Sequence, residues 1–382
     1  MVYLDNAATS FPKPQTVPEA IVSFMTRVGA NPGRSGHYLS VEAERIRYGT
    51  REAIGRLFNH ADPQRVVFTA NVTAALNLVL FGMVQPGDRV VVTGMEHNSV
   101  MRPLRFLEGR GVTVTLVETA SDGTVDPQDV ASTLDTPARL VCTLHASNVI
   151  GTVVPIGEIS RICRDRGVPY LVDAAQTAGC VPIDLGKDPI DMLAFTGHKG
   201  LLGPTGTGGL VLSPSFDEKL IGPLVYGGTG SRSEQEYQPE FLPDRFESGT
   251  CNIAGIAGLS AGLDYILTRG LSEIRAHESG LVHQLIAGLE AMEGVTVYGT
   301  SDPKKRTAAV SFRIAGIDNG ITARRLSEEF DIMCRPGLHC APRAHKTIGT
   351  FPGGTVRLSI GPFNTEADID AALSAVAAIA GK

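Results

Sequence analysis

Between residues 65 and 200 short apolar runs alternate with amphipathic stretches. The runs 65–69, 89–93, 113–117, 140–144, 169–173 and 191–195 are Val/Leu-rich and five residues long, which reads as buried strands. Residues 73–83, 100–110 and 155–166 between them carry helical spacing. Strands that read apolar throughout and are separated by helices predict an α/β fold with a mostly parallel sheet covered on both faces. After about residue 250 the texture changes. Two long helical patterns, 253–268 and 271–292, precede strand-like 295–298, 308–312 and 356–360, and a helix is expected over 365–379. This predicts a large domain over 15–250 and a smaller α+β domain over 251–382, joined by the N-terminal segment 1–14.

Composition narrows the function classes. The 382 residues carry a formal net charge of -6, with 43% hydrophobic and 19% charged residues, and no block of basic residues. That is the profile of a globular enzyme and argues against a nucleic-acid partner. No apolar run approaches the length of a membrane span, and residues 1–5 have neither a basic nor an apolar leader region. The six cysteines are scattered without a C-x-x-C pair, so neither a zinc ribbon nor a disulfide framework is expected. A cytoplasmic location is the expectation.

Candidate chemistry clusters at the ends of the strand-like runs. Phe195-Thr196-Gly197-His198-Lys199-Gly200 places a lysine beside a hydroxyl, an imidazole and a glycine-rich turn. A lysine amine can condense with an aldehyde cofactor, while Thr196, His198 and turn amides suit its phosphate. Gly203 to Gly209 could also be read as a nucleotide loop, but a P-loop sets its lysine after the glycines, not before them. Asp173 closes a strand and Gln176 follows. The aspartate could cap a helix, or pair with a pyridine nitrogen and keep that ring an electron sink. His97, after the run 89–93, could be a loop residue or a proton-exchanging group on a cofactor ring. Asn71-Val72-Thr73 opens a helix whose amides could cap or bind phosphate. Arg357, a charge inside an apolar strand, is either edge-exposed or an anchor for a carboxylate that Asn148 could support. Cys340 lies in Arg335-Pro336-Gly337-Leu338-His339-Cys340, expected to be a loop, where a thiolate beside a positive charge is a nucleophile candidate. A metal site from His339, Cys340 and His345 lacks a fourth ligand, so none is expected.

Together these segments, from Leu4-Asp5-Asn6-Ala7-Ala8-Thr9 to Arg357, resemble the class V aminotransferase family of pyridoxal-phosphate enzymes. Within it they are similar to the cysteine desulfurases, and the short Arg335–Cys340 loop looks like their second, SufS-like and selenocysteine-lyase-like subgroup. The resemblance implies fold type I with a seven-stranded sheet and pyridoxal 5'-phosphate as cofactor. Lys199 would hold it, Asp173 would face the pyridine nitrogen, Gln176 the phenolic oxygen and His97 the ring. Thr73, Thr196, His198 and the Val72 backbone would bind the phosphate, joined by Thr250 from the second subunit of a homodimer. Arg357 and Asn148 would orient the carboxylate of L-cysteine, with His37 and Arg335 lining the pocket. Cys340 would take the substrate sulfur as a persulfide, release alanine and pass the sulfur to an acceptor protein, as in iron–sulfur cluster assembly. The chain departs from the family pattern at Val72, at Ala74 and Ala75, and at Leu338, which stands where relatives often have a second histidine; His339 remains the candidate for activating the thiol. Selenocysteine lyase uses the same residues, and an aminotransferase or C–S lyase would leave Cys340 incidental.

Overall fold

The computed structural model describes residues 1–32 and 36–381. A two-residue strand, β1 (Val2–Tyr3), opens the chain. Strands β2 (Val66–Thr69), β3 (Arg89–Thr93), β4 (Thr113–Val117), β5 (Leu140–Leu144), β6 (Tyr170–Asp173), β7 (Met192–Thr196) and β8 (Gly208–Leu212) then form one sheet in the order β2-β8-β7-β6-β5-β3-β4. All neighbours are parallel except β8, which runs antiparallel to both β2 and β7. The period-two geometry of a strand sends alternate residues to opposite faces. Val67, Val92, Cys142, Leu171, Ala194 and Leu210 pack on one face with the helices Val72–Met83 and Asn98–Glu108. Val66, Val91, Val141, Val172, Phe195 and Val211 pack on the other, with the helices Tyr38–Phe58, Ile156–Asp165 and Ile253–Arg269. Both faces are therefore dry, which is why these strands read as unbroken apolar runs.

The antiparallel β8 lies where the sequence shows a glycine-rich loop. Its glycines are required by crowding: a Cβ on Gly209 would meet the Phe195 ring at 2.5 Å and the Val67 carbonyl at 2.6 Å.

The second layer is smaller. Strands β9 (Val295–Tyr298), β10 (Ala309–Ile314), β11 (Ile332–Met333), β12 (Arg335–Gly337) and β13 (Thr355–Ser359) follow. Four of them form an antiparallel sheet in the order β12-β13-β10-β9, while β11 pairs in parallel with β1. Val310, Phe312, Val356 and Leu358 face the helices Leu271–Glu290 and Glu366–Ala380, in a core that includes Leu4. The opposite face of β13 presents Thr355, Arg357 and Ser359, all buried.

The helix Ile253–Arg269 buries Ile253, Ile256, Leu259, Leu263 and Ile266 in the core of the seven-stranded sheet, and Leu271 and Ile274 of the next helix pack there too. Residues Arg335–Gly337, expected as a loop, form the edge strand β12, where Pro336 needs no ladder N–H. Among the described residues, no helix is long and apolar enough to cross a membrane. All six cysteines are free.

Candidate active site

A cavity of about 320 Å³ opens where the carboxyl ends of β3, β5, β6 and β7 meet the polar face of the smaller sheet. Its walls carry Val72, Thr73, His97, Asn148, Asp173, Gln176, Thr196, His198, Lys199, Arg335, Cys340 and Arg357. Ligands of open parallel sheets bind at this edge, because loops from successive strands converge there. The cavity is in the size range of small-molecule sites.

Asp173 is the last residue of β6 and Thr196 the last of β7. Burial raises the pKa of the Asp173 carboxyl against the lowering effects of the Ala175 N–H and the Lys199 ammonium. Burial also pulls Lys199 down to about 8; Asp173 opposes that shift and Arg357 and Arg335 add to it. A depressed lysine pKa is what a nucleophilic or basic amine at neutral pH requires. The backbone of the lysine turn is pinned by the N-terminal segment. The His198 carbonyl accepts from the Ser10 N–H at 3.1 Å, from Thr9 Oγ1 at 3.1 Å and from Lys13 Nζ at 2.8 Å.

His97 is both a cap and a wall of the site. Its Nδ1 accepts from the Ser99 N–H at 3.0 Å and lies 2.8 Å from Ser99 Oγ, which is 2.9 Å from Thr73 Oγ1. The accepting Nδ1 assigns the proton to Nε2. Burial, then the charges of Lys199 and Arg335, hold its pKa near 4, so the ring is neutral around pH 7. Ser99 is thus a site residue that the sequence reading missed, since a serine in a first helical turn reads as a plain cap. Directly behind it, Glu96 is fully buried. It accepts from Thr93 Oγ1 at 2.6 Å and from the Leu144 N–H at 3.1 Å, tying β3 to β5, and burial raises its pKa to about 8.

Arg357 projects from β13 with 1% exposure. Its Nη1 donates to the Asn148 carbonyl at 2.8 Å and its Nη2 to Asp5 Oδ1 at 2.6 Å. Its Nε has no protein partner, and neither has Asn148 Oδ1. The 147–153 turn that carries Asn148 docks on the smaller sheet: Ser311 Oγ donates to the Val149 carbonyl at 2.7 Å. At Gly151 (φ 75°) a Cβ would strike the Ala309 carbonyl at 2.6 Å.

Cys340 is exposed at the mouth of the cavity. His339 and Cys340 both hold left-handed backbone, with φ of 47° and 58°. This conformation costs about 1–3 kcal/mol per residue and persists only where surroundings enforce it. The loop is held by Asn148 Nδ2 donating to the His339 carbonyl at 2.7 Å and by the Asn98 N–H donating to the Cys340 carbonyl at 2.9 Å. The left-handed turn sends the two side chains apart. His339 is buried, 3.2 Å through Nε2 from Thr355 Oγ1, and burial together with Arg357 drives its pKa to about 2. The cation beside the thiol is Arg335, whose Nη2 donates to Cys340 Sγ at 3.7 Å. His339 therefore does not fill the thiol-activating role expected of it.

A family model described as "Aminotransferase class-V" matches residues 2–372. The chain belongs to the class V aminotransferase family. A member named "Probable cysteine desulfurase" from Methanothermobacter thermautotrophicus is 39% identical over all of this chain and 95% of its own. A second of that name, from Halalkalibacterium halodurans, is 37% identical over 97% of this chain and 91% of its own. Among solved structures, the apo form of the cysteine desulfurase from Thermococcus onnurineus superposes with a TM-score of 0.93 at 34% identity, covering 100% of this chain and 94% of that one. The cysteine desulfurase CsdA from Escherichia coli gives 0.88 at 29% identity, covering 98% and 93%. A fold type I architecture with a mostly parallel seven-stranded sheet, as the resemblance implied, is thus that of the family.

Two expected residues lie elsewhere. His37 is exposed and caps the helix Tyr38–Phe58, its Nδ1 accepting from the Ser40 N–H at 3.2 Å; it does not line the cavity. Thr250 is exposed on a separate surface cleft beside Phe68, Leu224 and Val225. Thr250 was expected to serve the site of a second subunit, not the cavity of its own chain. His345 is turned to Thr350 Oγ1 at 2.6 Å, and no group of three His, Cys, Asp or Glu side chains suited to a metal occurs among the described residues.

Proposed function

We propose that this protein is a pyridoxal-phosphate-dependent cysteine desulfurase, converting L-cysteine to L-alanine and retaining the sulfur as a persulfide on Cys340. The observation that carries the reading is the presence, on one cavity wall, of a depressed-pKa lysine, a buried aspartate, a buried arginine anchor and an exposed thiol. The residues fit the cofactor. The N-terminus of the helix Val72–Met83, Thr73, Thr196 and the unpartnered His198 Nδ1 supply donors for a phosphate. Asp173 would pair with the ring nitrogen, Gln176 with the phenolic oxygen, and neutral His97 would lie on the ring. When bound, the cofactor withdraws electrons from the substrate α-carbon.

The protein's own groups do the rest. Arg357, with its unpartnered Nε, and Asn148 grip the substrate carboxylate. Lys199 takes the α-proton and holds it at Nζ. Cys340 Sγ attacks the substrate sulfur, forming an S–S bond as the C–S bond breaks; the electron pair left on carbon takes up a proton and alanine departs. Arg335 Nη2 lies 3.7 Å from Cys340 Sγ. The exposed Thr250 suits a homodimer in which Thr250 of the partner subunit reaches the phosphate. L-cysteine supplied to the protein with pyridoxal phosphate, and with a dithiol reductant to discharge the persulfide, should yield alanine and sulfide, with visible absorbance from the bound cofactor. Lys199→Ala should remove the activity and alter that absorbance; unchanged turnover in this variant contradicts the proposal.

A further inference from the structure

The chain segment that carries Cys340 has a charge opposite to that of the whole chain. Net charge is -6, yet no acidic residue occurs between Asp331 and Glu366, a stretch that carries Arg335, Arg343, Lys346 and Arg357. The helix Pro342–Thr347 begins two residues after Cys340 and carries Arg343 and Lys346, the latter with its Nζ 5.1 Å from the centre of the Phe351 ring. On the other side, the Asn98 N–H holds the Cys340 carbonyl, and Arg102 lies one turn further along that helix. Arg102 and Lys346 are exposed. None of Arg102, Arg335, Arg343 and Lys346 forms an ion pair with a carboxylate among the described residues. Like charges on one surface without carboxylate partners repel one another and focus a field that draws anions to it. The cavity below needs no such rim for its amino acid, since cysteine is a zwitterion without net charge.

We propose that the basic rim of Arg102, Arg343 and Lys346 is the docking surface for an anionic sulfur acceptor, a partner whose reactive thiol is set among carboxylates. The assignment rests on the desulfurase reading above. The acceptor thiolate attacks the outer sulfur of the Cys340 persulfide. The S–S bond breaks, its electron pair stays on Cys340 Sγ as thiolate, and the acceptor leaves as the persulfide, so no oxidant or reductant is consumed. Arg335 stabilises the departing Cys340 thiolate, while the rim attracts the incoming anion over about a Debye length, roughly 8 Å at physiological salt.

Small thiols of opposite charge test this on the holoprotein. Addition of one equivalent of L-cysteine should release one alanine per Cys340 and leave the persulfide; absence of alanine overturns the desulfurase reading and the docking surface with it. The persulfide is then discharged with mercaptosuccinate, an anion, or with cysteamine, a cation, and the ratio of the two rates is measured. The ratio should fall by about tenfold between low salt and roughly 0.5 M salt, as screened steering requires. It should fall by a similar factor at low salt in Arg102→Glu/Lys346→Glu, with Arg102→Gln/Lys346→Gln between, while alanine release stays as in the parent protein. A ratio that changes by less than about twofold with both salt and charge reversal, with alanine release intact, overturns the docking surface alone.

Discussion

Replacing Arg357 by lysine keeps a positive charge opposite Asp5 but removes the planar fork. In the structure that fork donates to the Asn148 carbonyl at 2.8 Å and to Asp5 at 2.6 Å, and its Nε is unpartnered. An ammonium is a point donor and cannot span the Asn148 carbonyl, Asp5 and a substrate carboxylate together. Truncating one partner of a buried, hydrogen-bonded charge pair costs about 2–5 kcal/mol. With about 3 kcal/mol lost and roughly 1.4 kcal/mol per tenfold, L-cysteine should bind Arg357→Lys about a hundredfold more weakly. The assay is titration of the bound cofactor's absorbance with L-cysteine and with cysteamine, which lacks the carboxylate. The parent protein should prefer cysteine by about that factor, and the variant should lose the preference while binding cysteamine nearly as before. An equal loss for both ligands, or no loss for cysteine, refutes Arg357 as the carboxylate anchor.

Other groups give independent tests. Burial raises the Glu96 pKa from 4.5 to about 8, so the folded protein keeps a proton that the unfolded chain releases. The stability this contributes is full below about 4.5 and is lost as pH rises through about 8. Glu96→Gln, which mimics the protonated carboxyl, should therefore gain stability relative to the parent across that window, by up to a few kcal/mol in urea unfolding; parallel pH profiles count against it. Arg51 holds Glu247 at 2.6 Å with side-chain exposures of 3% and 7%, and Glu247 also takes the Phe68 N–H at 2.6 Å. Arg51→Met leaves that carboxylate only the more distant Arg47, at 3.8 Å, and should cost about 3 kcal/mol in the same measurement. Thr250→Ala should weaken pyridoxal phosphate binding by about tenfold, one charge-assisted hydrogen bond, and a copy with intact Thr250 but lacking Lys199 should restore it in mixed dimers.

Much of the site was legible because a parallel sheet brings strand ends together. Once residues 89–93, 140–144, 169–173 and 191–195 read as neighbouring buried strands, His97, Asn148, Asp173 and Lys199 had to share an edge, and the cavity has all four on its wall. Arg357 was legible as an anomaly: on β13 its neighbours Val356 and Leu358 face the core while it faces the cavity. What pairs with it was not, since Asp5 lies 352 residues away. The helix Tyr38–Phe58 went unread because Thr50, Arg51 and Gly55 are among its buried positions and break the apolar stripe. The strand β8 was masked by the glycines that crowding demands. His339 was misassigned since adjacency in sequence is not adjacency in space at a left-handed turn.

The central claim is that Cys340 takes the sulfur. Single-turnover reaction of the holoprotein with L-cysteine should release alanine and add the mass of one sulfur atom to the peptide containing Cys340. Cys340→Ala should bind cysteine with a similar change in cofactor absorbance, release little alanine and show no added sulfur. Alanine formed at the parental rate by Cys340→Ala, or sulfur carried on any other peptide, would contradict the account.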